Sequence, residues 1–236
     1  MKKISEVAFI IQARTQSTRV PNKMLRDFGG STLFEVAINK FLSSTIIPKE
    51  NIWISILDKE LKDVSAKYDL NVFNRSEEST HEPVVLQKIF EWHQKLDYKY
   101  YVILNACGPL LKIETLDDFI ADFLTSPSRG SFSVFEKKHF MYDLQHNMLN
   151  NFLGEEKYLT TFETKLLEPI YEAAGCLYAG TMSDISEDIY MGTFKSKDSP
   201  QFYIMNESES LDIDEPWQFE MAEIIYKRQV SEGEKL

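Results

Sequence analysis

Cysteine is scarce: Cys107 and Cys176 are the two thiols of a 236-residue chain. Two thiols cannot build a framework of bridges, and a chain of this length has no need of one, since it can bury about 70% of the surface it exposes when unfolded. Long apolar runs are missing too. Nothing approaches the roughly 18 consecutive apolar residues of a membrane span, so the expectation is no membrane segment. Val7-Ala8-Phe9-Ile10-Ile11, behind Lys2 and Lys3, is cut off by Gln12 and Arg14, too early for a secretion signal. Both features point to a cytoplasmic protein in a reducing compartment. Positive charge is also in deficit: 26 Lys+Arg against 37 Asp+Glu leave −11 with His neutral. That balance excludes a general nucleic-acid binder, because affinity for a polyanion comes mainly from Lys and Arg neutralising phosphates. The 9 glycines form neither a GxGxxG turn nor a Walker loop. A small anion held by a local basic cluster stays open.

What is present is an alternation of apolar runs with helical patterns, the signature of a sheet fed by crossover helices. Strands are predicted at 7–12, 52–57, 71–73 and 100–104. The helices between and after them are capped at Ser31-Thr32, run over 61–68, open at Pro83 and continue through Trp92, and span 115–124. The pattern then loosens. Further strands are expected near 131–135, 174–179 and 202–205, a last helix starts at Pro216, and residues 136–164 resist assignment. The whole reads as one α/β domain over residues 1–230, with an irregular insertion about 136–170 and a frayed tail at 231–236.

The loop after the first strand, Gln12-Ala13-Arg14-Thr15-Gln16-Ser17-Thr18-Arg19-Val20-Pro21-Asn22-Lys23-Met24, carries the densest chemistry. Ligands of open parallel sheets bind at the carboxyl ends of the strands, and this loop leaves such an end. Arg14, Arg19 and Lys23, with hydroxyls between them, could cradle phosphate oxygens; a solvated basic surface loop is the alternative. Near the other end, Asp212 and Asp214 alternate so as to share a face. Two neighbouring carboxylates repel unless a cation lies between them, and oxygen donors suit Mg²⁺. Acidic caps for the following helix are the alternative, Asp214 especially.

These segments together resemble a known family. Ile10-Ile11-Gln12-Ala13-Arg14-x-x-Ser17-x-Arg19-x-Pro21-x-Lys23 is similar to the signature of the cytidylyltransferases that make CMP-activated acidic sugars: the CMP-sialic acid (acylneuraminate) and CMP-Kdo synthetases with their spore-coat polysaccharide relatives. Asn74-Arg75-Ser76-Glu77-Glu78, Leu104-Asn105-Ala106-Cys107-Gly108-Pro109-Leu110, Gly175-Cys176-Leu177-Tyr178 and Ser210-Leu211-Asp212-Ile213-Asp214-Glu215-Pro216-Trp217 follow in the family's order and cover nearly the whole chain. The resemblance implies a Rossmann-like three-layer α/β/α nucleotidyltransferase fold with a mostly parallel mixed sheet. It implies CMP transfer from CTP to the anomeric hydroxyl of an acidic keto-sugar of the nonulosonic type, for surface polysaccharide. It places Gln12, Ala13, Arg14, Ser17, Arg19, Lys23, Arg75, Ser76, Glu77 and Asn105 around the nucleotide, with Arg14 and Lys23 neutralising charge as pyrophosphate leaves. Asp212 and Asp214 would ligate Mg²⁺, and a homodimer is implied. The alternatives are a nucleotidyltransferase for a sugar phosphate or phosphonate, and a non-catalytic nucleotide- or sugar-binding relative. Three positions depart from the pattern: Cys107 where Kdo-type members have Asp, Leu111 where sialic-type members often have Arg, and Met24 where Asn often follows the loop lysine.

The remaining candidates get plainer readings. His81, His93, His139 and His146 lack metal spacing and are read as surface or packing residues. Cys107 has no His partner nearby in sequence, so it is read as packing in its turn. Tyr98-Lys99-Tyr100-Tyr101 is read as part of a buried strand, and Trp217 and Phe219 as core.

Overall fold

A computed structural model describes residues 1–80, 85–153, 163–194, 200–234 and 236. The strands are β1 (Val7–Gln12), β2 (Asp27–Phe28), β3 (Ser31–Thr32), β4 (Ile52–Ile56), β5 (Asn71–Asn74), β6 (Tyr100–Leu104), β7 (Ser131–Lys137), β8 (Ile170–Thr181) and β9 (Gln201–Ile204). The helices are α1 (Leu33–Ser43), α2 (Lys59–Ser65), α3 (Leu86–Ile89), α4 (Ile113–Thr125), α5 (Met182–Ile185) and α6 (Pro216–Ser231). Among these, seven strands form one sheet in the order β5-β4-β1-β6-β8-β7-β9. β5, β4, β1 and β6 run parallel, β8 is antiparallel to both neighbours, and β9 runs parallel to β7.

The central strand explains the layering. Residues 7–11 of β1 have no exposed surface, so both faces must be covered. Val7, Phe9 and Ile11 enter the larger core with Phe34 and Phe41 of α1 and Phe119 and Phe123 of α4. Ala8 and Ile10 face Trp92, Met182 and Ile185 on the other side. Helix α1 starts where Thr32 accepts a bond from the Glu35 amide at 3.1 Å. On α4, Ile113, Leu116, Phe119, Ile120 and Phe123 make one apolar stripe.

Several expectations need correction. The helix expected from Pro83 through Trp92 is not continuous; Pro83 itself lies outside the described residues. α3 ends at Ile89, Phe90 leaves helical geometry (φ −109°, ψ 42°), and a 3₁₀ turn follows over Glu91–Gln94. Unbroken helix would point residues 90 and 92 to nearly opposite faces. The break lets Phe90 and Trp92 pack together with ring centres 5.3 Å apart. The strands expected at 131–135 and 174–179 extend to Ser131–Lys137 and Ile170–Thr181, so Glu136, Lys137 and Ile170 at the two ends of the insertion belong to paired strands. Glu234, in the tail beyond α6, pairs with Lys112 at 2.9 Å, which leaves the expectation for 231–236 as it stood. Trp217 is not core: it is 57% exposed, while Phe219 beside it is buried. β2 and β3 were not foreseen; Gly29 and Gly30 join them with positive φ of 65° and 86°.

Candidate active site

β4 and β5 lie to one side of β1 and β6 to the other. The connections leaving β1 and β6 therefore diverge, which opens a crevice at the carboxyl ends of the strands. Segment 13–24 forms one wall and the turn 105–112 the other, around a cleft of about 460 Å³. The cationic segment is not a loose surface loop. The Thr15 amide and hydroxyl donate to Asp58 at 3.0 and 2.6 Å. Val20 and Met24 are buried in the core, and Asn22 turns the chain with φ 55°. Met24 thus serves packing where the resembled pattern has a polar residue.

The cations and the late aspartates meet. Arg19 reaches Asp214 Oδ1 at 2.9 Å and Glu215 Oε1 at 3.3 Å. Lys23 Nζ lies 3.5 Å from Asp214 Oδ1 and donates to the Ile213 carbonyl, 190 positions away in sequence. Arg14 Nη1 donates to the Thr80 carbonyl at 2.9 Å. Arg75 is buried and held by Ser79; burial, then the nearby Arg14, pulls its pKa down to about 10. Two cations that disfavour each other across a cleft favour an anion between them.

Asp212 and Asp214 flank Ile213, whose side chain is fully buried, so alternation sends both carboxylates away from the core. Helix α6 is capped instead by Glu215, reciprocally with Gln218, which displaces the reading of Asp214 as the cap. Asp212 Oδ1 lies 3.4 Å from Asn105 Nδ2, which also donates to the Gly175 carbonyl at 2.8 Å. Partial burial, and secondly Asp214, hold the Asp212 carboxyl above its ordinary pKa; Lys23 opposes them. Gly175 is in the left-handed region (φ 74°), where a Cβ would sit 3.2 Å from Asp212 Oδ2. Gly175→Ala is therefore expected to cost about 1–2 kcal/mol of stability through backbone strain, and to weaken nucleotide binding by moving Asp212. Thermal melts and nucleotide titrations check the two parts separately.

A second chamber of about 270 Å³ adjoins the first, sharing Gln12, Arg14, Thr80 and Asn105. Its far wall is aromatic: Tyr190 packs on Phe90 and Tyr178 at ring-centre distances of 5.1 and 5.5 Å. Burial pushes the Tyr178 hydroxyl up to about 12. Gln12 Oε1 accepts from Trp92 Nε1 at 3.0 Å and Ser55 Oγ at 3.3 Å, which turns its NH₂ group toward the crevice.

Of the residues expected at the site, Gln12, Ala13, Arg14, Ser17, Arg19, Lys23, Arg75, Asn105 and Asp214 line these two chambers, and Asp212 touches one through Asn105. Ser76 and Glu77 line neither. The Ser76 amide and hydroxyl donate to Glu91 at 2.5 and 2.9 Å, so its polar groups brace the chamber from behind. Sequence reasoning did not foresee Thr80, Phe90 and Tyr190; Thr80 acts through its carbonyl, which no side-chain pattern announces. Burial raises the Cys107 thiol to about 11, so it is protonated near neutrality and is no nucleophile. His93 is a packing residue, with Nδ1 2.8 Å from the Phe90 carbonyl; His139 and His146 are exposed, and His81 lies outside the described residues. Among the described residues no three His, Cys, Asp or Glu side chains gather as a metal site, and no helix is long and apolar enough to cross a membrane.

The chain is similar to known proteins in sequence and in fold. Pseudaminic acid cytidylyltransferase of Campylobacter jejuni is 28% identical over 230 residues, covering 92% of this chain and 95% of that protein. Spore coat polysaccharide biosynthesis protein SpsF of Bacillus subtilis is 30% identical over 123 residues, half of this chain and 49% of that one. The structure of CMP:2-keto-3-deoxy-manno-octonic acid synthetase complexed with CTP superposes with a TM-score of 0.70 at 11% identity, over 95% of this chain and 99% of that one, and so shares the fold. The family model described as cytidylyltransferase matches residues 8–235, and the chain belongs to that family.

Proposed function

We propose that this protein transfers CMP from CTP to the anomeric hydroxyl of an acidic keto-sugar of the nonulosonic class, releasing pyrophosphate, in the synthesis of a surface polysaccharide. The observation that carries this reading is the meeting of Arg19 and Lys23 with Asp214 beside Arg14, at the switch point of the sheet. The sugar oxygen bonds to the α-phosphorus as the bond from that phosphorus to pyrophosphate breaks. Such a reaction asks the protein mainly for alignment and charge neutralisation. Arg14, Arg19 and Lys23, with Ser17 among them, hold the triphosphate, and Arg14 and Lys23 face the charge that develops on the leaving group. Arg75 and the aromatic chamber beyond it take the parts of the substrates that lie past the phosphates, with Gln12 and Asn105 between.

Mg²⁺ fits the donor set. Two neighbouring carboxylates, Asp214 raising the cost of ionising Asp212, beside a cluster of cations, match an ion that takes one or two carboxylates and fills its shell with water and phosphate oxygens. Asp212 and Asp214 would hold it, and it would supply charge stabilisation at the reacting phosphate. A homodimer is part of the reading, supported by the exposed Met141, Tyr142, Leu144, Leu149 and Leu153 in the insertion. The missing arginine at 111 does not argue for a non-catalytic relative, because Leu111 is fully buried in the core and lines neither chamber.

The test is pyrophosphate release with CTP, UTP, dTTP and ATP against a panel of nonulosonic acids, Kdo and sugar phosphates, with and without Mg²⁺. The expected result is turnover confined to CTP with a keto-sugar acid and abolished by chelation. Preference for UTP or dTTP, or for a sugar phosphate, overturns the assignment. So does tight binding of nucleotide with no pyrophosphate from any acceptor.

A further inference from the structure

Lys40 sits in the last turn of α1 with 1% of its surface exposed. A buried ammonium is costly, and burial pulls this one down to about 7, with Cys176 and Glu209 opposing. Its bond goes to one place: Nζ donates to the Leu111 carbonyl at 2.5 Å. The N–H of that same peptide group, on Lys112, donates to Glu209 Oε2 at 3.2 Å, and Glu209 is itself buried. The single peptide group between Leu111 and Lys112 is thus gripped at both its carbonyl and its N–H, by a cation from α1 and a carboxylate from the Glu207–Glu209 turn.

The same turn carries the far half of the cleft. Asn105 reaches Asp212, and the Cys107 carbonyl accepts the Ile213 amide at 3.0 Å. Glu209 stands three residues before Asp212 in sequence, so the segment bearing Asp212 and Asp214 is fastened to the turn at Glu209–Lys112 and again at Ile213–Cys107. Core stability alone would be served as well by an apolar residue at position 40, since a buried charge is often replaced by a hydrophobe of similar volume without loss. We propose that Lys40 and Glu209 are positioning residues that lock the turn 105–112 and thereby fix the carboxylates of Asp212 and Asp214 against the cationic loop. This rests on the proposed role of those carboxylates in CMP transfer.

The test compares Lys40→Met, Lys40→Arg and Glu209→Gln with Asp212→Asn and the double variant Lys40→Met/Asp212→Asn. Lys40→Met is expected to lower kcat at least tenfold while KM for CTP changes less than threefold. Lys40→Arg, which restores a donor, recovers part of the loss. The double variant is no worse than Asp212→Asn alone. Hydrogen exchange should quicken in peptides covering 207–214 and stay unchanged in β1 and β6. If Asp212→Asn is inactive while folded Lys40→Met and Glu209→Gln retain wild-type kcat, the inference fails and the proposed function stands. If Asp212→Asn is fully active, the proposed function fails first. Exchange quickening everywhere, with kcat falling only as the folded fraction falls, reduces Lys40 to a core residue and also overturns the inference.

Discussion

Lys23→Ala is expected to lower kcat/KM for pyrophosphate release by about 10²- to 10³-fold, the loss found when one preorganised charge-stabilising donor is removed from a site. The size follows from where the ammonium sits. Its side chain is only 12% exposed, it donates to the Ile213 carbonyl, and it lies 3.5 Å from Asp214. It is therefore aimed and partly dried before any substrate arrives, so little reorganisation is needed as charge grows on the leaving pyrophosphate. Arg19 provides the contrast. At 55% exposure its ion pairs with Asp214 and Glu215 are solvent-screened, and Arg19→Ala should cost roughly tenfold, mostly in KM. Steady-state kinetics with CTP varied, alongside thermal melts to correct for folding, separate the two. A loss under tenfold for Lys23→Ala in folded protein would remove this lysine from the charge-neutralising role.

The sheet was legible because its first half obeys simple periodicities. Residues 7–11 are continuously apolar and become a strand covered on both faces, and the parallel order around it follows from short strands alternating with helices. The cationic cleft was legible for a different reason: arginine, lysine and hydroxyl side chains announce their chemistry wherever they stand. The meeting of Lys23 with Asp214 was implied by family resemblance, since nothing local relates positions so far apart. What escaped the sequence acts through backbone or through context. Thr80 contributes a carbonyl, and Phe90 breaks its helix so that its ring can join Trp92. Trp217 looked like core by composition but lies on the outer face of α6, which buries only Phe219 and Ala222. Lys40 reads as a solvent-facing helix residue by type, yet α1 is covered at that point by the turn after β6, a tertiary fact no local pattern encodes.

Asp212→Asn separates function from stability, and the two should move in opposite directions. Partial burial and the neighbouring Asp214 both disfavour its charge, with Lys23 only partly offsetting them. In the absence of ligand, then, an ionised carboxylate here is a cost to the folded state that the neutral amide of Asn does not carry. The side chain keeps its size, and its contact with Asn105 survives with an amide oxygen in place of the carboxylate. The thermal midpoint of ligand-free Asp212→Asn should equal or exceed that of the wild type. Activity should fall on the order of 10³-fold, because several kcal/mol of charge stabilisation at the reacting phosphate would depend on the Mg²⁺ that this oxygen is proposed to help hold. Residues whose removal stabilises a protein while disabling it mark places where the fold tolerates strain for the sake of its site. Differential scanning calorimetry of the apo proteins and pyrophosphate release across a Mg²⁺ titration provide the two readouts. A variant that is both less stable and fully active would show that Asp212 serves the fold instead, as an acceptor for Asn105 beneath the turn.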